Sequence, residues 1–172
     1  MSLPISAAAR AFVALGSNLG DSPRILREAM QQLQASSTQP LVASSLWQTA
    51  PVDCPPGSPP FVNAVVALAI AQWETPESLL AKLQAIEKEF GRRPKQVLNE
   101  PRPLDLDLIV FGRETRNTPE LTLPHPRAHL RRFVLQPLSE IAPELVLPGE
   151  TRNIGALLKM LPMNEALVRL GT

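Results

Sequence analysis

The sequence is poor in cysteine, in net charge and in long apolar runs, and each shortage argues against a class of protein. Its single cysteine, Cys54, allows no internal disulfide, which is consistent with a reducing cytoplasm. A net charge of +1 provides no overall field for nucleic acid or a membrane surface. The longest apolar run, Val65 to Ala71, is far too short to cross a bilayer. The N-terminus also lacks the basic start and long apolar core of a signal peptide.

What is present predicts one globular domain. A hydrophobic fraction of 44% over 172 residues is sufficient for a core without disulfides. We therefore expect a single domain over residues 1–172, with 1–9 as a loosely ordered extension, and we expect a monomer. The 19 prolines concentrate in three segments, which we interpret as stiff, irregular connections. These segments are 51–60, 94–103 and 119–126.

Hydrophobic periodicity predicts the order β-α-β-β-α-β for the first two thirds of the chain. Strands are expected at Arg10–Leu15, Leu41–Trp47, Phe61–Ala71 and within Arg102–Gly112. The first helix should begin at an N-cap Ser22 with Pro23 at its first position, and the second at an N-cap Thr75, ending at Gly91. This order is typical of a ferredoxin-like fold.

The last third is expected to cover the second face of the sheet. It is predicted to hold a short strand near Leu121–Leu123, a helix over Arg131–Ile141, and one or two weaker helices between Asn153 and Leu170. The predicted fold class is therefore α+β, a ferredoxin-like β-α-β-β-α-β core whose antiparallel sheet carries helices on both faces, in three layers.

The segment "RPLDLDLIVFG" contains the first candidate site. In a strand, Leu104, Leu106 and Leu108 share one face, while Asp105 and Asp107 share the other with α-carbons about 6.5–7 Å apart. Two carboxylates at this spacing suit magnesium, which takes one or two carboxylates plus water and phosphate oxygens. A polar stripe on a solvent-facing strand would give the same pattern, and the strand alone favours that interpretation. The apolar run that follows Asp107 argues against a strand that is wet along its length.

Two basic segments flank that strand. The loop 91–103 carries three arginines and a lysine and is long for a connection without secondary structure, which favours a binding loop over a solvated linker. Arginine donors suit phosphate oxygens. The second segment, "PHPRAHLRR", holds both histidines; a histidine beside arginines suits a triphosphate, and a purely structural histidine is the alternative. A catalytic thiol at Cys54 is disfavoured because no base neighbours it.

The turn "GSNLGD" lies between a strand and a helix, a common place for phosphate binding. It lacks the Lys-Ser/Thr ending of a P-loop, and a plain turn with a helix cap explains it equally well. Trp47, Phe61 and Phe133 are core aromatics by default. A ring near an amide such as Asn63 could also form a platform for a flat heterocycle.

Six segments in order resemble one family, the 6-hydroxymethyl-7,8-dihydropterin pyrophosphokinases of folate biosynthesis. They are "FVALGSNLGD", "SSLWQTAPV", "FVNAVVAL", "IEKEFGR", "PRPLDLDLIVFG" and "LPHPRAHLRRFVLQPLSEIAPELV". The resemblance implies a ferredoxin-like fold and transfer of the β,γ-pyrophosphoryl group of ATP to the hydroxymethyl oxygen of the pterin, with AMP as the other product. It implies small-molecule substrates, no nucleic acid, no membrane and a cytoplasmic enzyme.

The resemblance also implies roles for residues. Asp105 and Asp107 would bind two magnesium ions, and Arg92 and Arg102 would act on the phosphates as catalytic residues. The ATP-binding set would be Gln84, Arg92, Arg102, Leu108, His125 and Arg131. The pterin-binding set would be Thr49, Val52, Phe61, Asn63 and Phe133. Asn18 and Glu87 match polar positions of the family to which we assign no role from the sequence.

The chain departs from the family in the loop before Arg102. Many members carry tryptophan-glycine where this chain has Asn99-Glu100, and some carry an arginine where it has Pro94. These changes support an alternative hypothesis, a nucleotide- or pterin-binding paralogue with impaired catalysis. A ferredoxin-like RNA-binding module is disfavoured, since the strands lack the exposed aromatics and basic face of such sheets.

Overall fold

The computed structural model describes residues 9–51 and 53–171, so the predicted extension 1–9 lies outside the described residues except for its last position. The described strands are β1 Arg10–Ser17, β2 Val42–Ala43, β3 Trp47–Thr49, β4 Phe61–Ala69, β5 Asp105–Phe111, β6 Arg116–Asn117, β7 Thr122–Leu123 and β8 Leu167–Arg169. The described helices are α1 Ser22–Leu33, α2 Pro76–Glu89, α3 Arg132–Ile141 and α4 Ile154–Met160.

The main sheet is antiparallel, as predicted, with the strand order β5-β1-β4-β3-β8 and with β2 also paired to β4. β6 and β7 form a separate pair. The register places Gly16 of β1 opposite Asp105 on one side and opposite Asn63 on the other. Three strands therefore bring these positions into one row near an end of the sheet.

Side chains from the two faces of this sheet belong to two separate hydrophobic clusters. Val13 and Leu15 of β1 pack in one cluster with residues of α1 and α2, while Phe12 and Val65 pack in the other with residues of α3 and α4. Because both faces are covered, β1 and β4 are apolar along most of their length. The predicted alternation of leucine and aspartate side chains between the two faces of the sheet is present. The first cluster contains Leu104, Leu106 and Leu108.

The predicted start of α1 was one residue late. Asp21 is the N-cap, and its side chain accepts a hydrogen bond from the Arg24 N–H at 3.3 Å. Ser22 is instead the first helical residue, and its buried hydroxyl accepts a hydrogen bond from Ser17 Oγ at 2.9 Å. For α2 the prediction is confirmed: Thr75 caps the helix through the Ser78 N–H, and Gly91 follows it with a φ of +89°.

One further prediction was wrong in detail, and another was confirmed but incomplete. The expected strand Leu41–Trp47 is divided into β2 and β3, because the Ser44 hydroxyl accepts the Val65 N–H at 2.9 Å and locally replaces the strand ladder. The region between Asn153 and Leu170 holds one helix and then a strand, β8, which pairs with β3. In the described part of the chain, no helix combines the length and apolarity needed to cross a membrane.

Candidate active site

A cavity of about 460 Å³ opens at the end of the sheet where β4 and β5 begin and β1 and β3 end. Further along the same face, Phe12 and Val65 are covered by α3 and α4. Towards the cavity that face becomes polar or small. Its lining there includes Ala14, Gly16, Asn63, Asp105 and Asp107. The change from apolar to polar residues along shared strands is what leaves this end of the sheet open.

Asp105 stands between two arginines from the preceding loop. Arg92 Nη1 donates to Asp105 Oδ1 at 2.8 Å, and Arg102 Nε lies 3.7 Å from Asp105 Oδ2. The Nε atom of Arg102 is buried and has no hydrogen-bond partner among the described residues. A buried donor without an acceptor is costly, so this guanidinium is suited to donate a hydrogen bond to an anionic ligand.

Asp107 is less well compensated than Asp105. Burial, followed by the charge of Asp105, raises the pKa of the Asp107 carboxyl to about 6, despite the opposing effect of Arg131 and Arg102. A cation between two crowded carboxylates would relieve this repulsion, and a pair of carboxylates is the donor set that magnesium favours. Among residues 9–51 and 53–171, no group of three or more His, Cys, Asp or Glu side chains could hold a metal ion. Two carboxylates are a donor set that could hold magnesium if water and phosphate oxygens supplied the remaining ligands.

Asn18, in the turn after β1, holds the end of the basic loop. Its backbone N–H donates to the Arg102 carbonyl at 3.1 Å, and its side-chain Oδ1 accepts the Arg102 N–H at 2.9 Å. Its Nδ2 donates to the Pro59 carbonyl at 3.3 Å. Asn18 is only 2% exposed. This side chain therefore links both loops that border the cavity and fixes the backbone of Arg102.

Glu87, on α2, holds the side chain of Arg92. Its Oε2 accepts from Arg92 Nη1 at 3.0 Å and from the Leu106 N–H at 3.2 Å. Burial raises the pKa of Glu87 to about 7, with the charges of the two aspartates adding to the effect of burial. Arg92 is thus oriented toward Asp105 by an acid that comes from a different element.

The other end of the cavity carries rings and an amide. Asn63 Nδ2 donates to Thr49 Oγ1 at 3.0 Å, which fixes the orientation of this buried amide. Gly16 lies opposite, where an added Cβ would come within 3.2 Å of Asn63 Oδ1, so a larger residue would crowd the amide. The two rings, Phe61 and Phe133, line the cavity and each has a guanidinium over it. These are Arg102 at 5.4 Å and Arg131 at 5.5 Å from the ring centroids.

Of the residues predicted for the site, eight line this cavity: Thr49, Phe61, Asn63, Arg102, Asp105, Asp107, Arg131 and Phe133. Arg92 reaches it through Asp105. Gln84 is exposed on α2 and is not part of the lining. Leu108 is buried in the first hydrophobic cluster, so any contact with a nucleotide would have to come from its main chain. Val52 lies outside the described residues.

His125 lies beside the site and outside the lining. Its backbone N–H donates to the Ile109 carbonyl at 2.8 Å, and its Nδ1 accepts the Arg127 N–H at 3.2 Å. Burial, and then the charge of Arg131, lower the pKa of His125, which favours the neutral ring. A neutral imidazole with Nδ1 accepting leaves Nε2 to carry the proton and act as a donor.

Sequence reasoning missed several lining residues. Two come from the loops, Asp53 and Asn99, and their backbones both have positive φ. Three more come from the C-terminal part of the chain: Asn164, Glu165 and Ala166. No local pattern marks residues of the second group, because they reach the cavity through strand pairing between distant segments.

Comparison with known proteins shows which family the chain resembles over most of its length. Residues 12–143 match the family model described as 7,8-dihydro-6-hydroxymethylpterin-pyrophosphokinase (HPPK). A 2-amino-4-hydroxy-6-hydroxymethyldihydropteridine pyrophosphokinase of Pseudomonas aeruginosa is 40% identical over 162 residues, which are 94% of this chain and 96% of that protein. The Bacillus subtilis protein of the same name is 39% identical over 136 residues, 78% of this chain and 79% of that protein.

Other relatives are longer than this chain. The folic acid synthesis protein fol1 of Pneumocystis carinii is 38% identical over 137 residues, which are 80% of this chain and only 18% of that protein. Among solved structures, the wild-type HPPK-DHPS of Plasmodium falciparum with pteroate superposes with a TM-score of 0.68 at 14% identity. That match covers 88% of this chain and 42% of the other. Because the identity is only 14%, the match bears on the fold alone.

Proposed function

Because the chain belongs to the 7,8-dihydro-6-hydroxymethylpterin-pyrophosphokinase family, we propose that it transfers pyrophosphate from ATP to 6-hydroxymethyl-7,8-dihydropterin in folate biosynthesis. In this reaction a bond forms between the hydroxymethyl oxygen and the β-phosphorus of ATP. The bond from that phosphorus to the oxygen shared with the α-phosphate breaks, AMP leaves, and the hydroxyl proton is released. The observation that carries the proposal is one cavity lined both by a carboxylate pair with arginines and by rings with an oriented amide.

At the phosphate end, Asp105 and Asp107 would hold magnesium, with two ions expected. Bound there, magnesium would neutralise phosphate charge and orient the phosphate oxygens for an in-line displacement. Arg92 and Arg102 donate to phosphate oxygens, and Glu87 and Asn18 keep these donors in place. Phosphoryl transfer needs mainly positioning and charge stabilisation, which these residues supply.

The remaining ATP contacts are proposed for four residues. Arg131 lines the cavity and carries a positive charge that suits a phosphate group of ATP, including the one attached to the ribose. His125 in its neutral form donates from Nε2. Gln84 and Leu108 are proposed at the nucleotide end on the strength of the family resemblance, with Leu108 acting through its main chain.

At the heterocycle end, Phe61 and Phe133 would stack on the two faces of the pterin. Asn63 would read its polar edge: because Nδ2 is already bonded to Thr49, Oδ1 is the atom oriented to accept from the ring's amino group. The backbone of Thr49 and of Val52 completes the proposed pterin contacts.

We also propose that the core is ferredoxin-like, with helices on both faces of an antiparallel sheet in three layers; the two hydrophobic clusters on opposite faces support this. The chain acts as a single domain over residues 1–172, as a monomer in the cytoplasm, on small molecules and without nucleic acid.

The experiment that tests the function is AMP formation from ATP and magnesium, with and without 6-hydroxymethyl-7,8-dihydropterin. Pterin-dependent AMP is the expected result. ADP release that does not depend on pterin, or no turnover at all, would refute the proposal. Tight binding of both ligands without turnover would instead support the alternative, a paralogue with impaired catalysis.

The carboxylate pair is tested by Asp105→Ala and Asp107→Ala. Each change should abolish AMP formation and leave the circular dichroism spectrum unchanged, because both side chains are at the surface of the cavity and not within either hydrophobic cluster. Glu120→Ala is the matched control, since Glu120 is an exposed acid outside the cavity. Near-normal turnover in either aspartate variant would refute the metal-pair interpretation.

A further inference from the structure

Part of the cavity wall comes from a region beyond the family match. That match ends at residue 143, yet Asn164, Glu165 and Ala166 line the cavity. These three residues lie in a short connection between α4 and β8. The way in which this connection is held indicates which end of the cavity it borders.

On its N-terminal side the connection is held by Arg132. The Nη2 atom of Arg132 donates to the Leu161 carbonyl at 2.9 Å and to the Pro162 carbonyl at 3.3 Å. Arg132 is only 7% exposed, and it is the first residue of α3, directly before Phe133. A charged side chain so buried is retained at a cost, and here Nη2 fixes a turn of main chain, while Nε is buried without a hydrogen-bond partner among the described residues.

On its C-terminal side the connection is held by the sheet. Leu167 pairs with Thr49 of β3, and the Leu170 N–H donates to the Leu46 carbonyl at 2.9 Å. The four residues 163–166 therefore span between an anchor on α3 and an anchor on β3. Neither end of this span is free to move away from the cavity without breaking those bonds.

Resting on the proposed function, we propose that Asn164, Glu165 and Ala166 form a specificity-determining wall at the heterocycle end of the site, and that Arg132 is a positioning residue for this wall. The anchoring elements carry Phe133 and Thr49, both proposed to contact pterin. In the strand order, β8 lies beside β3 and is separated from β5, with its two aspartates, by three strands. The wall therefore borders the heterocycle and not the phosphates.

The wall is tested first by Ala166→Leu. Ala166 is exposed and lines the cavity, so a larger side chain there fills space without disturbing either core. Val168→Leu is the matched control, because Val168 is 57% exposed on the adjoining strand and does not line the cavity. Two affinities are measured. The first is that of α,β-methylene-ATP in the presence of magnesium, and the second is that of 6-hydroxymethylpterin in the presence of magnesium and that nucleotide.

We expect Ala166→Leu to weaken pterin binding by about tenfold or more, to leave nucleotide binding within about twofold, and Val168→Leu to change neither. Wild-type pterin affinity in Ala166→Leu would overturn the proposal, as would an equal loss of both ligands. If the wild-type chain forms AMP while Ala166→Leu binds pterin normally, only this inference fails. If the wild-type chain binds no pterin, the proposed function fails with it.

The role of Arg132 is tested by a pair of variants. Arg132→Met keeps an unbranched apolar stem and removes the donors, so pterin binding should weaken by about fivefold while nucleotide binding is retained. Arg132→Lys restores a donor to the same carbonyls and should recover most of the lost affinity. Equal effects of Met and Lys, or equal loss of both ligands in Arg132→Met, would overturn the positioning role.

Discussion

Replacing Asn18 with alanine tests whether the turn after β1 positions the arginine that is proposed to act on ATP. The Asn18 side chain accepts the Arg102 N–H at 2.9 Å and donates to the Pro59 carbonyl at 3.3 Å. Alanine removes both bonds and leaves the Arg102 N–H without that acceptor. The variant should therefore loosen the two loops at the point where both meet the cavity.

The expected size follows from these contacts. Two lost hydrogen bonds at about 1 kcal/mol each, with some cost for the donor left unpaired, give about 2–3 kcal/mol of lost stability. For a domain of this size that corresponds to a fall in melting temperature of about 4–12 °C. We expect about half of this energy to hold Arg102 in its productive position. Its loss would raise the activation barrier by about 1.4 kcal/mol and lower turnover by about tenfold.

The assay is pterin-dependent AMP formation at saturating ATP, measured well below the melting temperature of the variant. Asn18→Asp keeps the acceptor for the Arg102 N–H and loses the donor to Pro59, so its turnover should lie between those of alanine and wild type. Asn117→Ala, an exposed asparagine of β6, is the control. Unchanged turnover in a destabilised Asn18→Ala would show that Asn18 supports the fold only, and the positioning argument would be refuted.

Two other changes give separate readouts. Thr49→Val removes the oxygen that orients the Asn63 amide and should weaken pterin binding by about fivefold to tenfold, with nucleotide binding unaffected; equal pterin affinity would contradict the role of Thr49. Glu87 has a pKa raised by burial from 4.5 to about 7, so metal-free protein should lose stability as pH rises through that range. Glu87→Gln should make this loss shallower in urea unfolding at several pH values, whereas the exposed Glu89→Gln should keep it; identical slopes would contradict the assignment.

The central strand of the site could be predicted from its sequence because a strand has a strict period of two. Once Leu104, Leu106 and Leu108 are assigned to a covered face, Asp105 and Asp107 must share the other. The helix caps were nearly as easy to predict, since Thr75 and Pro76 form a local signal. At α1 the same logic failed by one residue because Asp21 and Ser22 are both good N-caps; in the structure Asp21 caps the helix, while the Ser22 hydroxyl bonds to Ser17.

The C-terminal region could not be predicted by the same means. Leu167–Arg169 has no length or periodicity that distinguishes a strand from a helix, and it becomes β8 because β3 offers an unpaired edge. Residues 164–166 reach the cavity only as a result of that pairing. Similarly, the bond from the Arg102 N–H to Asn18 and the bond from the Leu106 N–H to Glu87 span 84 and 19 positions, separations that no local pattern encodes.

The loop before Arg102, where the chain departs from the family, contains a hydrogen bond to a second loop that the sequence did not indicate. Asn99 stands at a position where the family resemblance leads us to expect tryptophan, and its Nδ2 donates to the Asp53 carbonyl in the opposite loop at 2.9 Å. Among the described residues other than glycine, these two alone have positive φ, at 55° and 51°. Asparagine and aspartate tolerate this conformation better than other side chains, and a tryptophan would not. The substitution therefore removes a ring and supplies a hydrogen bond between the same two loops, so it does not by itself argue for lost catalysis.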